Sequence, residues 1–308
     1  MSWLELTIRA RRREWRFLEG ALGQVGALSI TLLDAADEPI LEPGAGEMPL
    51  WSELLVTALF EPQVDRRGLR AVLQDLVYTL DDERFEFRDV ADADWTRAWM
   101  DQYRPMRFGS RLWVCPSGMQ LPTDARSDGA PEPVVVALDP GLAFGSGTHP
   151  TTALCLEWLD ALAARGVLAG RSVLDYGCGS GILAIAAIKL GAALAIGVDN
   201  DPQALLASRD NAQRNGVADA ALTVLTPEQF AASTHAQEGC DVVLANILAG
   251  PLVALEPLLA AATRIGGRIA LSGILNEQAD EVLAAYGADF EALAVARRDD
   301  WVRIASSD

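Results

Sequence analysis

The chain has 308 residues, half of them hydrophobic and 22% charged, which suits a globular protein with room for two cores. A net charge of −18 makes it a poor holder of DNA or RNA through phosphates and favours a basic partner. Cys115, Cys155, Cys178 and Cys240 show no C-x-x-C spacing and His149 and His235 are the only histidines, so no metal site is expected. No apolar run approaches the ~20 residues that span a bilayer, and Arg9, Arg11, Arg12 and Arg13 precede no apolar core. No membrane association, no export and a reduced, cytoplasmic protein are therefore expected.

In chain order, residues 3–10 (WLELTIRA) alternate as a strand, and residues 12–25 place Trp15, Leu18, Leu22 and Val25 at helical spacing. Residues 26–33 read as a second strand, 34–49 as an acidic loop, 53–60 as a third strand, 67–80 as a helix and 84–90 as a fourth strand. The order β-α-β-β-α-β is that of a small ferredoxin-like α+β domain. It carries no catalytic constellation, which makes it a candidate recognition module. Trp95 and Trp99 lie one helical turn apart behind Asp94, a good N-cap, and read as a packed linker helix. The expected domains are 1–92, a linker over 93–104, and 105–308.

The second domain opens with a strand or hairpin over 104–116, a proline-rich loop over 117–133 and a strand over 134–139. Next comes PGLAFGSGTHPTTALCLEWL, where Gly145, Gly147 and Pro150 bend the chain before a helix over 151–162. Threonine N-capping and proline in the first turn explain part of this cluster of Thr148, His149, Thr151 and Thr152. A loop over a ligand explains the whole of it. Strands then alternate with helices, with strands near 172–174, 195–199, 221–225, 241–245, 267–272, 290–296 and 301–305, the last two antiparallel. That is an α/β, seven-stranded, mostly parallel Rossmann-like sheet.

The stretch SVLDYGCGSGILAIAAIKLGA (172–192) passes from an apolar strand through Asp175, Gly177, Gly179 and Gly181 into an apolar helix. Such a turn brings backbone N–H groups to a ligand. The spacing is G-x-G-x-G, not the dinucleotide G-x-G-x-x-G. Asp199 closes the next strand twenty-two residues after Gly177, where a carboxylate can accept from both ribose hydroxyls. No basic residue stands in the turn, so a ligand with ribose but no phosphate fits. This pattern looks like the S-adenosylmethionine site of class I methyltransferases. Asp175, Asp199 and Asn246 all fall at carboxyl ends of strands, where ligands of such sheets bind.

DPGLAFGSGTHPTTALCLEWL, VLDYGCGSGILAIAAIKLGA, GVDNDPQALLASRDNAQRNGV and DVVLANILAGPL together resemble the PrmA family, the bacterial methyltransferases of ribosomal protein L11. WLELTIRA, VGALSITLLDA, PLW near Trp51 and DWTRAWMDQYRPMRFGSRLWVCPS extend the likeness over essentially the whole chain. The resemblance implies transfer from S-adenosylmethionine, leaving S-adenosylhomocysteine, to lysine side-chain amines and the N-terminal amine of L11. It also implies that the amino-terminal module captures L11, with no direct nucleic-acid binding, and a monomer is expected. By position, Thr152, Gly177, Asp199 and Asn246 match the family's cofactor-binding residues, and Phe144, Gly145 and Thr148 match the loop lining the pocket. Asp175, Gly179 and Gly181 complete the cofactor set, and Asn246 is the expected catalytic residue. Ser146 replaces a common Thr, and Gly118 stands where Trp often follows C-P-S, so no substrate contact is carried over to that loop.

The chemistry needs a neutral amine, and free lysine titrates near about 10.4. Desolvation lowers that value, so positioning and burial are expected to act without a dedicated base. Asn246 can accept an amine N–H or contact the methionine part of the cofactor, and His149 is more readily a structural residue than a proton relay. Three other readings compete with this one. A class I methyltransferase acting on another protein amine or amide is one; those acting on release-factor glutamine carry N-P-P-Y, whereas this chain has N-I-L-A. A dinucleotide oxidoreductase would want G-x-G-x-x-G. A ribosome-assembly binding protein without turnover would not need Asp175, Asp199 and Asn246 together.

Overall fold

The computed structural model describes residues 2–36, 49–91, 104–126, 131–139 and 148–307. The chain divides into two compact units, 1–98 and 99–308. The expected linker over 93–104 lies almost wholly outside the described residues, as do Trp95 and Trp99.

In the first unit, strands β1 (Ser2–Arg11), β2 (Ser29–Asp34), β3 (Glu53–Phe60) and β4 (Phe85–Ala91) form one sheet in the order β2-β3-β1-β4. Every neighbouring pair is antiparallel. Helix α1 (Trp15–Gln24) follows β1 and helix α2 (Arg66–Leu76) follows β3, which is the β-α-β-β-α-β order read from the sequence. Alternation sends Leu4, Leu6, Ile8 and Ala10 of β1 and Leu54, Val56, Ala58 and Phe60 of β3 to one face. Leu18, Ala21 and Leu22 of α1 and Leu69 and Leu73 of α2 cover it. Asp65 caps α2, accepting from Arg67 N and Gly68 N, both at 3.1 Å. The helix ends at Leu76, four residues short of the Leu80 expected, because Val77 leaves helical backbone (φ −128°, ψ 79°). That turn lets Val77 and Leu80 both enter the core.

In the second unit, β5 (Met106–Phe108), β6 (Leu112–Cys115) and β7 (Val134–Ala137) make a small three-stranded sheet. The main sheet has seven strands: β8 (Ser172–Tyr176), β9 (Leu194–Val198), β10 (Leu222–Leu225), β11 (Cys240–Asn246), β12 (Thr263–Leu275), β13 (Leu293–Arg298) and β14 (Trp301–Ser306). Their order is β10-β9-β8-β11-β12-β14-β13. The first five neighbours run parallel and β14 is antiparallel to both β12 and β13. Helices α3 (Pro150–Ala164), α4 (Ile182–Lys189), α5 (Pro202–Arg214), α6 (Pro227–Ala231), α7 (Thr234–Glu238), α8 (Ala249–Ala261) and α9 (Ala279–Tyr286) connect them.

Both faces of the central strands β8, β9 and β11 are buried, so these strands read as nearly continuous apolar runs. Val173, Leu244 and Ala270 face α3 and α4, packing on Leu156, Leu159 and Ile185. Leu174, Val243 and Ile269 face the other way, onto Leu252 and Leu259 of α8 and Val282 and Tyr286 of α9. The chain runs outward from β8 to β10 and then returns to lay β11 on the other side of β8. The crevice of such a sheet opens where the winding reverses, at the carboxyl ends of β8 and β11.

Candidate active site

The turn after β8 is shaped by two requirements. Gly177 and Gly181 adopt φ of +82° and +78°, a left-handed backbone that glycine enters without a Cβ penalty. Space is also denied: a Cβ at Gly177 would run into Ile247 Cγ2, and one at Gly181 would lie 3.1 Å from Ser208 Cα. Gly177 N and Cys178 N both donate to Val198 O, at 2.7 and 3.0 Å, tying the turn to the end of β9. From α5, Ser208 Oγ donates to Gly179 O at 2.9 Å and Asn211 Nδ2 to Ser180 O at 2.8 Å.

Asp199 stands just past β9 and links both turns. Its Oδ2 accepts from Gly179 N at 2.8 Å and its Oδ1 from Asp201 N at 3.0 Å. Each oxygen keeps a lone pair for a hydroxyl. Asp175, one residue before the end of β8, is fully buried; Oδ2 accepts from Ala184 N at 3.1 Å, capping the first turn of α4. Its Oδ1 has no hydrogen-bond partner. Burial chiefly, with the charge of Asp199 adding to it, pushes the Asp175 carboxyl up to about 7.

Asn246 is the last residue of β11. Its Nδ2 donates to Thr152 Oγ1 at 3.2 Å, while its Oδ1 is buried without a partner. Thr152 sits in the first turn of α3. The expected threonine cap is corrected here: His149 is the N-cap, its Nδ1 lying 3.4 Å from Thr151 N and 2.8 Å from Thr151 Oγ1. The His149 ring also stands edge-on to Trp301, with centroids 4.8 Å apart. Burial lowers its pKa, so the imidazole is neutral at pH 7 and suited to accept the capping bond. Thr148 is exposed beside it. Phe144 and Gly145 lie outside the described residues.

The structure therefore brings Gly177, Gly179, Gly181, Asp175 and Asp199 together around one turn, and Thr152 and Asn246 together beside it. Sequence reasoning missed Ser208 and Asn211, which hold that turn from α5. It also missed Asn215, which exchanges hydrogen bonds with Ala137 N and O at 2.8 and 2.7 Å at the end of β7. The one sequence signal for Ser208 and Asn211 is that polar residues interrupt the buried face of α5. A cleft of about 340 Å³ lined by Arg171, Asp241 and Arg264 lies at the opposite, amino ends of the strands and holds none of these groups.

The family model for ribosomal protein L11 methyltransferase (PrmA) matches residues 2–308. The chain belongs to the ribosomal protein L11 methyltransferase family. Relatives with that name from Xanthomonas euvesicatoria pv. vesicatoria and Pseudomonas aeruginosa are 54% and 51% identical, each alignment covering 99% of this chain and 98% of the relative. A crystal structure of ribosomal protein L11 methylase from Lactobacillus delbrueckii subsp. bulgaricus matches with 31% identity and a TM-score of 0.55. That match covers 67% of this chain and 98% of the other. The chain is thus a methyltransferase with a Rossmann-like fold, and S-adenosylmethionine is the donor its site has to hold. Among the described residues, no group of His, Cys, Asp and Glu could hold a metal ion, and no helix is long and apolar enough to cross a membrane.

Proposed function

We propose that this chain transfers methyl groups from S-adenosylmethionine to lysine side-chain amines and the N-terminal amine of ribosomal protein L11. The observation that carries the reading is the convergence of the Gly177–Gly181 turn, Asp199 and Asn246 at the carboxyl ends of adjacent parallel strands. The residues fit the donor. The turn has no room for side chains at Gly177 and Gly181, the free lone pairs of Asp199 suit ribose hydroxyls, and Asn246 Oδ1 lacks a protein partner. S-adenosylmethionine, when bound, supplies a methyl group on a positively charged sulfur.

The chain's own part is to present a neutral amine in line with that methyl. Asn246 Oδ1 accepts an amine N–H and aims the nitrogen lone pair, while burial of the target lysine disfavours its cation. The neutral His149 is occupied in capping α3, which supports positioning and desolvation over a dedicated base. The first unit serves as the module that captures L11, with the boundaries read from the sequence at 92 and 105. The net charge of −18 favours a basic protein over nucleic acid as partner. A cytoplasmic monomer completes the reading.

Labelled S-adenosylmethionine incubated with purified L11, followed by intact-mass analysis, tests it. Gains of whole methylene units on L11, located on lysines and the N-terminus and abolished by Asp199→Ala, are expected. Cofactor binding without any gain would reassign the substrate, and absence of cofactor binding would overturn the reading.

A further inference from the structure

Helix α5 turns a polar face towards the glycine turn. Ser208, Asn211 and Asn215 follow one another at helical spacing, so they line one side of the helix and its C-cap. Ser208 and Asn211 are buried. Ser208 Oγ donates to Gly179 O at 2.9 Å and lies 3.4 Å from Cys178 Sγ, while Asn211 Nδ2 donates to Ser180 O at 2.8 Å. Asn215 exchanges two hydrogen bonds with Ala137, which ties the end of the helix to β7. The helix is thus anchored where it grips the turn.

Both grips fall on backbone that is already held at a second atom. Gly179 gives its N–H to Asp199 Oδ2 at 2.8 Å and its C=O to Ser208. In the next peptide unit, Gly181 N donates to Cys178 O at 2.8 Å and the Ser180 carbonyl takes Asn211. A planar peptide bonded at both its N–H and its C=O has no freedom to rotate. Gly177, Gly179 and Gly181 all have positive φ, and without such bonds this glycine-rich turn would sample many backbone states. A ligand that had to order it would lose affinity in doing so.

We propose that Ser208 and Asn211 are positioning residues for the methyl donor. By holding the carbonyls of Gly179 and Ser180 they order the glycine turn, and through Gly179 the Asp199 carboxylate, before the donor arrives. The inference rests on the reading of this turn and Asp199 as the donor site.

Calorimetry of S-adenosylhomocysteine binding to the full-length protein tests it. Ser208→Ala and Asn211→Ala are each expected to raise Kd by about three- to tenfold. Asp241→Ala, which loses its hydrogen bonds at the opposite ends of the strands, shows what general destabilisation does and should leave Kd within about twofold. An unchanged Kd in both α5 variants, or an equal rise in Asp241→Ala, would overturn the proposal. Failure of the donor-site reading itself is seen in the parent, which would then bind no S-adenosylhomocysteine.

Amide hydrogen exchange separates ordering of the turn from lasting damage to it. In the ligand-free protein, Gly179 N–H should exchange about three- to tenfold faster in Ser208→Ala, and Gly181 N–H likewise in Asn211→Ala. Saturating S-adenosylhomocysteine should bring both close to the parent, because the ligand then supplies the order. Equal exchange in the ligand-free proteins, or a difference that persists undiminished with ligand bound, would overturn the proposal. A thermal melt shows that each variant is folded before either readout is taken.

Discussion

Gly177 and Ile247 stand against each other from two different strands, and the contact leaves no space for a Cβ on the glycine. Ile247 follows Asn246, so the glycine turn packs directly against the carboxyl end of β11. Gly177→Ala meets two obstacles, the collision and a left-handed backbone at φ +82°. The second alone costs about 1–2 kcal/mol. We expect S-adenosylhomocysteine binding, measured by calorimetry, to be lost and the melting temperature to fall. Adding Ile247→Ala should recover part of the stability, because only the collision is relieved. Full recovery would show that backbone strain at 177 is unimportant.

Asp199 accepts from Gly179 N and Asp201 N, so it shapes the turn as well as presenting oxygens. Asp199→Ala removes both bonds, each to an ionised acceptor worth about 1.5–3 kcal/mol. Affinity for S-adenosylhomocysteine is expected to drop by about a hundredfold or more. Asp199→Asn keeps an oxygen and should lie between the two. An Asn variant with unchanged affinity would exclude a role for the charge.

The strands and the glycine turn were legible because their signals are local. Alternation in β1 and β3 and unbroken apolar runs in β8 and β11 follow from burial on one face or two. Asp175, Asp199 and Asn246 were legible for the same reason, as each polar residue interrupts or ends an apolar strand. What sequence missed depends on packing between distant segments. Ser208, Asn211 and Asn215 bond to backbone 29, 31 and 78 residues away, and the local signal, a polar residue among apolar ones, does not say which backbone group it meets. His149 as N-cap was hidden because Trp301 and Thr151, which hold its ring, are a fold-level arrangement. Helices α6 and α7, five residues each, are too short for periodicity, although Thr226 and Ser233 cap them.

At the far end of β11, Asp241 Oδ2 accepts from Ser172 N and Oγ, both at 2.9 Å, and from Arg264 at 3.1 Å; its Oδ1 accepts from Arg171 at 3.2 Å. Burial pushes its pKa up, but the Ser172 bonds and then Arg264 and Arg171 outweigh that, and the net shift is downward. It therefore contributes stability above its unfolded value of 3.8 that is lost as pH falls through the lower folded value. Asp241→Ala is expected to cost about 2 kcal/mol in urea unfolding. Asn246 is five residues along the strand, about 17 Å away, so turnover should be unchanged. Loss of turnover in a fully folded variant would contradict this separation of stability from chemistry.

Asp175 titrates in the opposite sense. Burial moves its folded pKa from 3.8 up to about 7, so between those values the folded protein binds a proton that the unfolded chain has released. Stability from this group is present below about 4, declines as pH rises and levels off above about 7. Asp175→Asn keeps an acceptor for Ala184 N and cannot ionise, so it should lack this decline. Melting temperatures of the two proteins measured from about pH 4 to about pH 8 isolate the effect from every other carboxylate. The parent should lose ground to the variant as pH rises through the window, then run parallel to it. Parallel curves throughout would mean that Asp175 does not change protonation there, and that its buried Oδ1 is stabilised in the ionised form.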